Sequence, residues 1–320
     1  MNRTTKIWLM AAAALVLLGV LGFVGVMAAN HWEFSALGGE DFVTETYEIG
    51  EAFDGLSICS DTADIRFERS VDGSCRVEFY ARPKAKHGAV VQRGTLLIEE
   101  GDERSWYEQF SLSFDSPRMT VYLPGNAYAS LDIWVDTGDV VIPQDFMFET
   151  VQITASTGDV DYRASASGVV RIANSTGQIH AEGCSAGSME LSTSTGRMEL
   201  RSIVCAGELS QRVSTGRSVL TNVRCQSLRS GGSTGELTME RVIAAETVSI
   251  ERSTGDVKLE DCDAAELDIQ TGTGDVSGTL LTEKVFLVQS DTGRVSVPET
   301  TAGGVCRVTT DTGDITITIP

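Results

Sequence analysis

Histidine and proline are scarce in this 320-residue chain, with three and six copies. His31, His87 and His180 are too few and too scattered for a histidine-based metal or acid–base centre. Basic residues are also short. The 25 Lys and Arg stand against 45 Asp and Glu, and the resulting net charge of −20 argues against binding nucleic-acid phosphates. Of 21 aromatic residues only Phe286 lies beyond Tyr162, so whatever core the second half builds is slender. The seven cysteines include no Cys-x-x-Cys spacing, which argues against a zinc site. Hydrophobic residues are not lacking: at 42% they can build a sizeable core in a chain of this length.

Ile7 to Ala29 is an uninterrupted apolar run of 23 residues. As a helix it would rise ~34 Å, enough to cross a hydrocarbon core of ~30 Å. Arg3 and Lys6 precede the run, and Glu33, Glu40 and Asp41 follow it. The positive-inside rule therefore leaves residues 1–6 in the cytoplasm, makes 7–29 a transmembrane helix and 30–42 a linker, and exports the acidic bulk. Val26-Met27-Ala28 resembles a small-residue cleavage site, so a cleaved signal peptide is the competing reading. The length of the run favours a retained anchor. The expected location is the cell membrane, single-pass, with the N-terminus cytoplasmic. No lipid-acceptor cysteine or second apolar span offers another anchor.

The dominant feature is a repeat. Thr137-Gly138, Thr157-Gly158, Thr176-Gly177, Thr195-Gly196, Thr215-Gly216, Thr234-Gly235, Thr254-Gly255, Thr273-Gly274, Thr292-Gly293 and Thr312-Gly313 recur every 19 or 20 residues. Positions seven and five before each glycine, and two and four after it, are apolar in 36 of 40 cases, while their neighbours are mostly polar. Alternation on both sides of the glycine predicts two short strands per repeat, each with one face inward. Such a repeat cannot bury its own apolar face, whereas stacked repeats can. The predicted fold is all-β: a parallel β-solenoid of about ten rungs, on the order of 45 Å long at the spacing of neighbouring strands. The Thr-Gly pairs would be its structural corners, with glycine at a positive φ.

Residues 131–320 form the repeat domain. Residues 43–130 are bulkier and less periodic, and read as an irregular β-rich cap over one end. Leu56, Ile58, Ile65 and Phe67 occupy the four apolar slots around Ala63, which marks a degenerate first repeat. The chain stops at Ile315-Thr316-Ile317-Thr318-Ile319-Pro320 with no evident cap, so that end would seat a partner or a second copy, or fray.

The Ser/Asp-Thr-Gly-Asp-Val repeats, the Asp61-Thr62-Ala63-Asp64-Ile65 start and the single N-terminal apolar segment resemble a bacterial family of β-strand-repeat proteins. That family carries the label "putative adhesin" or domain of unknown function. The resemblance covers residues 45–320 and implies an envelope protein with a β-solenoid ectodomain. It carries over no catalytic or ligand residues.

Several motifs suggest chemistry. Asp136-Thr137-Gly138, Asp291-Thr292-Gly293 and Asp311-Thr312-Gly313 match aspartic proteases, but Ser fills the same slot in six repeats, which makes the aspartates variants of a corner. Gly183-Cys184-Ser185-Ala186-Gly187 matches a nucleophile elbow without the helix that should follow. Like-charged neighbours such as Asp256 and Asp275 would be able to hold calcium, although solvated carboxylates need no ion. Cys205 and Cys225 stand nine residues after their glycines in consecutive rungs, within disulfide reach; two stacked thiols are the favoured alternative. Gln211, Ser218 and Ser230 interrupt the apolar slots, as a ligand-lined interior or a register slip would. Trp106, Tyr107 and Phe110, in Gly101–Asp115, mark a recognition loop or a sealed cap. His180 and Glu199 would be rung neighbours on an outward face.

The favoured function is a non-enzymatic, membrane-anchored surface or envelope protein, an adhesin or an envelope scaffold or stress-related binding module. Its expected partners are the membrane, through the N-terminal helix, and an envelope or surface protein or glycan. No cofactor, catalytic residue or metal is expected. A calcium- or small-ligand-binding solenoid is the alternative, and a carbohydrate-active enzyme a weaker one.

Overall fold

The computed structural model describes residues 3–29, 42–83, 85–101 and 116–320. Helix α1 spans Arg3–Ala29. Its Ala- and Leu-rich sequence favours helix, and apolar residues surround it on every side. The Trp8–Gly25 stretch, of mean hydropathy 2.3, is long and apolar enough to cross a membrane, and none of it is buried against the rest of the protein. Signal sequences satisfy the same criterion.

The remainder is a β-solenoid of about ten turns. One rung shows how the repeat folds. A strand over Met147–Thr157 reaches the corner at Gly158, a second strand covers Val160–Tyr162, and a third short stretch follows at Ser165–Ala166. The first two lie parallel and in register on the next rung, with Val151 beside Val170, Ile153 beside Ile172 and Val160 beside Ile179, and the third lies parallel to Met147–Phe148, with Ser165 beside Met147. The third stretch is an addition to the two strands expected from the alternation. It recurs at Ser185–Ala186, Val204–Cys205 and Arg224–Cys225, and is too short for a period-two signal to stand out. A second corner precedes it. Gly183, Ser202, Asn222, Arg241 and Asp261, each six residues after a corner glycine, all adopt φ between 52° and 65°. Gly, Asn and Asp tolerate this left-handed region better than most residues.

The inward slots form continuous columns of Val, Ile, Leu, Met, Ala and Cys. Each fully buried large side chain contributes about 1.5–3 kcal/mol. Bulk is concentrated near the first rungs, where Phe67, Phe79, Phe146, Phe148 and Tyr162 are all buried.

The first seven strands build the N-terminal end: β1 (Val43–Ile49), β2 (Gly55–Ser60), β3 (Asp64–Arg69), β4 (Cys75–Ala81), β5 (Lys86–Gln92), β6 (Thr95–Gly101) and β7 (Arg118–Leu123). Strands β2 and β3 form a rung around Ala63, with Leu56 beside Leu131, Ile58 beside Ile133 and Ile65 beside Val140. On its other side β2 pairs with β6 and β3 with β7, again parallel. Antiparallel strands then finish the end: β5 on β6, β4 on β7 and β1 on β4.

The far end departs from sequence order. Leu267 of the Glu266–Thr273 strand lies beside Cys306, and Cys306 lies beside Phe286. The last repeat, Gly304–Thr318, is therefore the penultimate rung, inserted between the repeats of Gly274 and Gly293. The strand Ile315–Thr318 is paired on both edges and Ile315 and Ile317 are buried, so the expectation of an uncapped final strand there does not hold. Chain connectivity permits the inversion because residues 297–303 carry the chain back by one rung.

Candidate functional sites along the rod

The corner residues are the most repeated polar feature. Nine of the ten corner glycines have φ between 134° and 154°. They also stack so closely that a Cβ on Gly158 would lie 2.1 Å from the Gly138 carbonyl oxygen, and one on Gly216 would lie 1.7 Å from that of Gly196. The backbone holds the corners together: Gly138 N–H donates to Thr157 O (3.0 Å) and Gly255 N–H to Thr273 O (2.8 Å).

The aspartates after the glycines form a ladder. Asp64 Oδ1 accepts from Asp139 N–H (2.9 Å), Asp139 Oδ1 from Asp159 N–H (2.8 Å), and Asp159 Oδ1 from Gln178 N–H (2.7 Å). The ladder resumes where Asp256 accepts from Asp275 (3.0 Å), Asp275 from Asp314 (2.8 Å) and Asp314 from Arg294 (2.8 Å). In the middle rungs Arg197 and Arg217 take the slot, and there the strand ladder itself runs through the corner, pairing Gly196 with Gly216. Each carboxylate thus replaces the backbone acceptor that the corner removes. Among the described residues no group of three or more His, Cys, Asp or Glu is placed to hold a metal ion. The aspartates before Thr-Gly accept from side chains instead, Asp136 from Ser156 on the next rung (3.2 Å) and Asp291 from Gln289 on its own strand (3.0 Å).

Cys205 and Cys225 sit on adjacent rungs, since Val204 pairs with Arg224. Both are buried free thiols. Burial pushes the Cys225 thiol up to about 12 and also raises that of Cys205, which suits neither for nucleophilic chemistry.

Gln211, Ser218 and Ser230 are buried and bond one another without a register slip between Leu191 and Gln211. Ser218 Oγ donates to Gln211 Oε1 (3.1 Å), and Gln211 Nε2 donates to Ser230 Oγ. The sequence reading missed a fourth member, Arg252. The residue is 3% exposed, and its guanidinium donates through Nη2 to Ser230 Oγ (2.9 Å) and leaves Nε and Nη1 without a partner. Burial lowers its pKa to about 10, so it stays charged at neutral pH. Gly232 makes the room, because a Cβ there would lie 1.9 Å from Arg252 Nη1. The available signal was an arginine three residues before Gly255, in the slot that Val135, Ala155 and Val213 occupy in other rungs.

A charged cluster lies on the outward face of the second strand. His180 pairs in register with Glu199, with Nδ1 3.8 Å from Oε2, while Nε2 lies 3.4 Å from Glu182. Glu199 is 7% exposed and accepts from Arg201 Nε (3.0 Å), with Arg197 at 3.5 Å. Burial opposes its charge, but Arg201, Arg197 and His180 outweigh burial and hold its carboxyl below the usual range. Cys184 is buried, with its thiol pushed up to about 12, and the chain continues through the short strand Ser185–Ala186 rather than into a helix. Trp106, Tyr107 and Phe110 lie outside the described residues.

These features together define a repeat protein of the β-solenoid class whose repeated corners hold the stack together. The chain belongs to the Toastrack DUF4097 family, which matches it over residues 53–212 and again over 206–320. Among solved structures, a "putative adhesin" from Bacteroides fragilis is similar at 12% identity and a TM-score of 0.45. A "putative lipid binding protein" from Parabacteroides distasonis is similar at 12% and 0.44, and a "putative adhesin" from Parabacteroides merdae at 9% and 0.33. Each comparison covers 88% of this chain and 98% of the other. No curated protein matches the chain.

Proposed function

We propose that this is a non-enzymatic, membrane-anchored envelope protein whose rod presents its side faces to a surface partner. The observation that carries this reading is α1: its Trp8–Gly25 stretch is wholly exposed on the folded protein, and an apolar surface of that length needs lipid around it. Arg3 and Lys6 on one side of the run, and the acidic solenoid on the other, favour an extracytoplasmic rod. The names of the similar structures agree with a role in adhesion or lipid contact, and the net charge of −20 favours a neutral or basic partner over an anionic surface.

Fractionation of producing cells tests this directly. The full-length chain should stay with the membranes through a carbonate wash and be removed from intact, outer-layer-stripped cells by added protease. Recovery in the soluble cytosolic fraction, or full protection from external protease, would overturn it. A shortened chain released outside the cell would replace the anchor with a cleaved signal.

A further inference from the structure

The two ends of the rod are built differently. At the N-terminal end the antiparallel strands β1, β4 and β5 lie over the first rungs. At the far end the strand Lys284–Thr292 pairs only with Gly304–Thr312, and Val295–Ser296 only with Ile315–Thr318. Their outward edge carries backbone N–H and C=O groups with no strand partner among the described residues, and such an edge readily accepts another strand.

The side chains at this end are unlike those of the rest of the rod. Phe286, Val288 and Val297 occupy inward slots but are covered from one side only, while Leu281, Leu287 and Val295 are 44%, 49% and 45% exposed. Phe286 is the single aromatic in the later repeats and stands at their end. The local charge is low as well. Residues 281–303 contain Lys284 and Arg294 against Glu283, Asp291 and Glu299, a net of −1 in a chain of net −20. Lys284 is paired with Asp263 and Arg294 with Asp314, so neither cation calls for an acidic partner. With so little net charge here, two copies of this acidic protein can meet at this end with little local repulsion.

We propose that the open end docks head to head on the open end of a second copy, with Lys284–Thr292 antiparallel to its counterpart about a twofold axis at Val288. In that register Val288 faces Val288, Leu287 faces Gln289, Phe286 faces Ser290 and Lys284 faces Thr292, and no like charges are opposed. A contact of this symmetry is isologous, closes at two copies and uses the far-end edge of both. Docking on the N-terminal end instead would bring the edge to β1, which carries Glu45 and Glu48, and would continue without limit. Helix α1 precedes β1 in the chain, so it leads into the opposite end of the rod. If the membrane-anchor reading above holds, a head-to-head pair therefore carries its two anchors at opposite ends and links two membranes.

Sedimentation of the full-length chain in detergent micelles, followed by cross-linking and vesicle clustering, tests the proposal. The wild type should dimerise. The Leu287→Lys/Gln289→Lys variant, altered only at exposed positions that face each other across the proposed axis, should keep its melting temperature and self-associate about tenfold more weakly or worse. Leu287→Cys/Gln289→Cys should form an intermolecular disulfide that the wild type does not. A monomeric wild type, or a dimer that survives the lysine pair and resists the cysteine cross-link, overturns the proposal; the latter outcome would assign association to α1 or to another face. Vesicles bearing the wild-type chain should cluster and those bearing the lysine variant should not. Dimers in micelles without clustering of vesicles would refute the anchoring geometry and leave the interface standing.

Discussion

Replacing Gly216 with alanine isolates the packing of the corner column. Gly216 has φ of 140°, a region that only glycine occupies comfortably, and holding another residue there costs about 1–3 kcal/mol. Contact adds to strain. The new Cβ would lie 1.7 Å from the Gly196 carbonyl oxygen, so reaching a 3.0 Å separation requires a displacement of at least 1.3 Å (3.0 minus 1.7) between rungs held in register on both sides. We expect a total loss of about 3–5 kcal/mol, the size reserved for overpacking combined with backbone strain. For a chain of this size that lowers the melting temperature by roughly 10 °C. Two controls separate the terms. At Gly183, where φ is 65° and nothing lies within 4 Å, alanine should cost about 1 kcal/mol from the backbone alone. At Gly88, with open space and no positive φ, the change should stay within about 0.5 kcal/mol. Far-ultraviolet circular dichroism against urea and temperature, on the full chain in micelles, reads all three. A Gly216→Ala variant within about 1 kcal/mol of wild type, or a Gly183→Ala variant that is worse, would refute the argument that inter-rung contact dictates glycine at these corners.

Four further predictions follow from other parts of the molecule. Glu199, Glu236 and Asp314 have their carboxyls held below the usual range: Glu199 because Arg201, Arg197 and His180 outweigh burial, Glu236 by Lys258 and Arg217, and Asp314 by the Arg294 amide and guanidinium. Their contribution is therefore complete above the ordinary carboxylate range and lost as pH falls through it and below, so urea midpoints should be flat near neutrality and fall on acidification; a midpoint that rises on acidification would contradict this. Arg252→Met removes an unpaired buried charge while Ser230 keeps its bond from Gln211, and should be neutral or stabilising by about 1–3 kcal/mol in the same unfolding assay. Deleting residues 304–320 takes out the penultimate rung, so limited proteolysis should cut rapidly throughout 284–303; if cleavage there matches wild type, the inverted order is wrong. Because the aspartate carboxylates already accept backbone amides, adding calcium or a chelator should leave the melting temperature unchanged.

Periodicity in the sequence determined the position of nearly every residue within a rung. The Thr-Gly spacing and the four apolar slots locate the first two strands and the corner between them, and Leu56, Ile58, Ile65 and Phe67 are buried around Ala63 as those slots predict. These features are local, since alternation and a glycine corner are written into any single repeat. The third stretch was less legible because two residues carry no detectable period, although the Gly, Asn and Asp at the second corner were a usable signal. Tertiary structure alone decided which rung lies on which. All repeats offer the same pattern of edge hydrogen bonds, so spacing places Gly313 after Gly293, while packing sets its rung between those of Gly274 and Gly293. Tertiary structure also decided the fate of the polar groups. The ladder from Asp139 to Asp159, the contact of His180 with Glu199 and the burial of Arg252 over Gly232 each join different rungs, and they depend on where side chains reach once the rungs are stacked. A repeat encodes its own cross-section; the order of the stack and the contacts between rungs arise only when the edges meet.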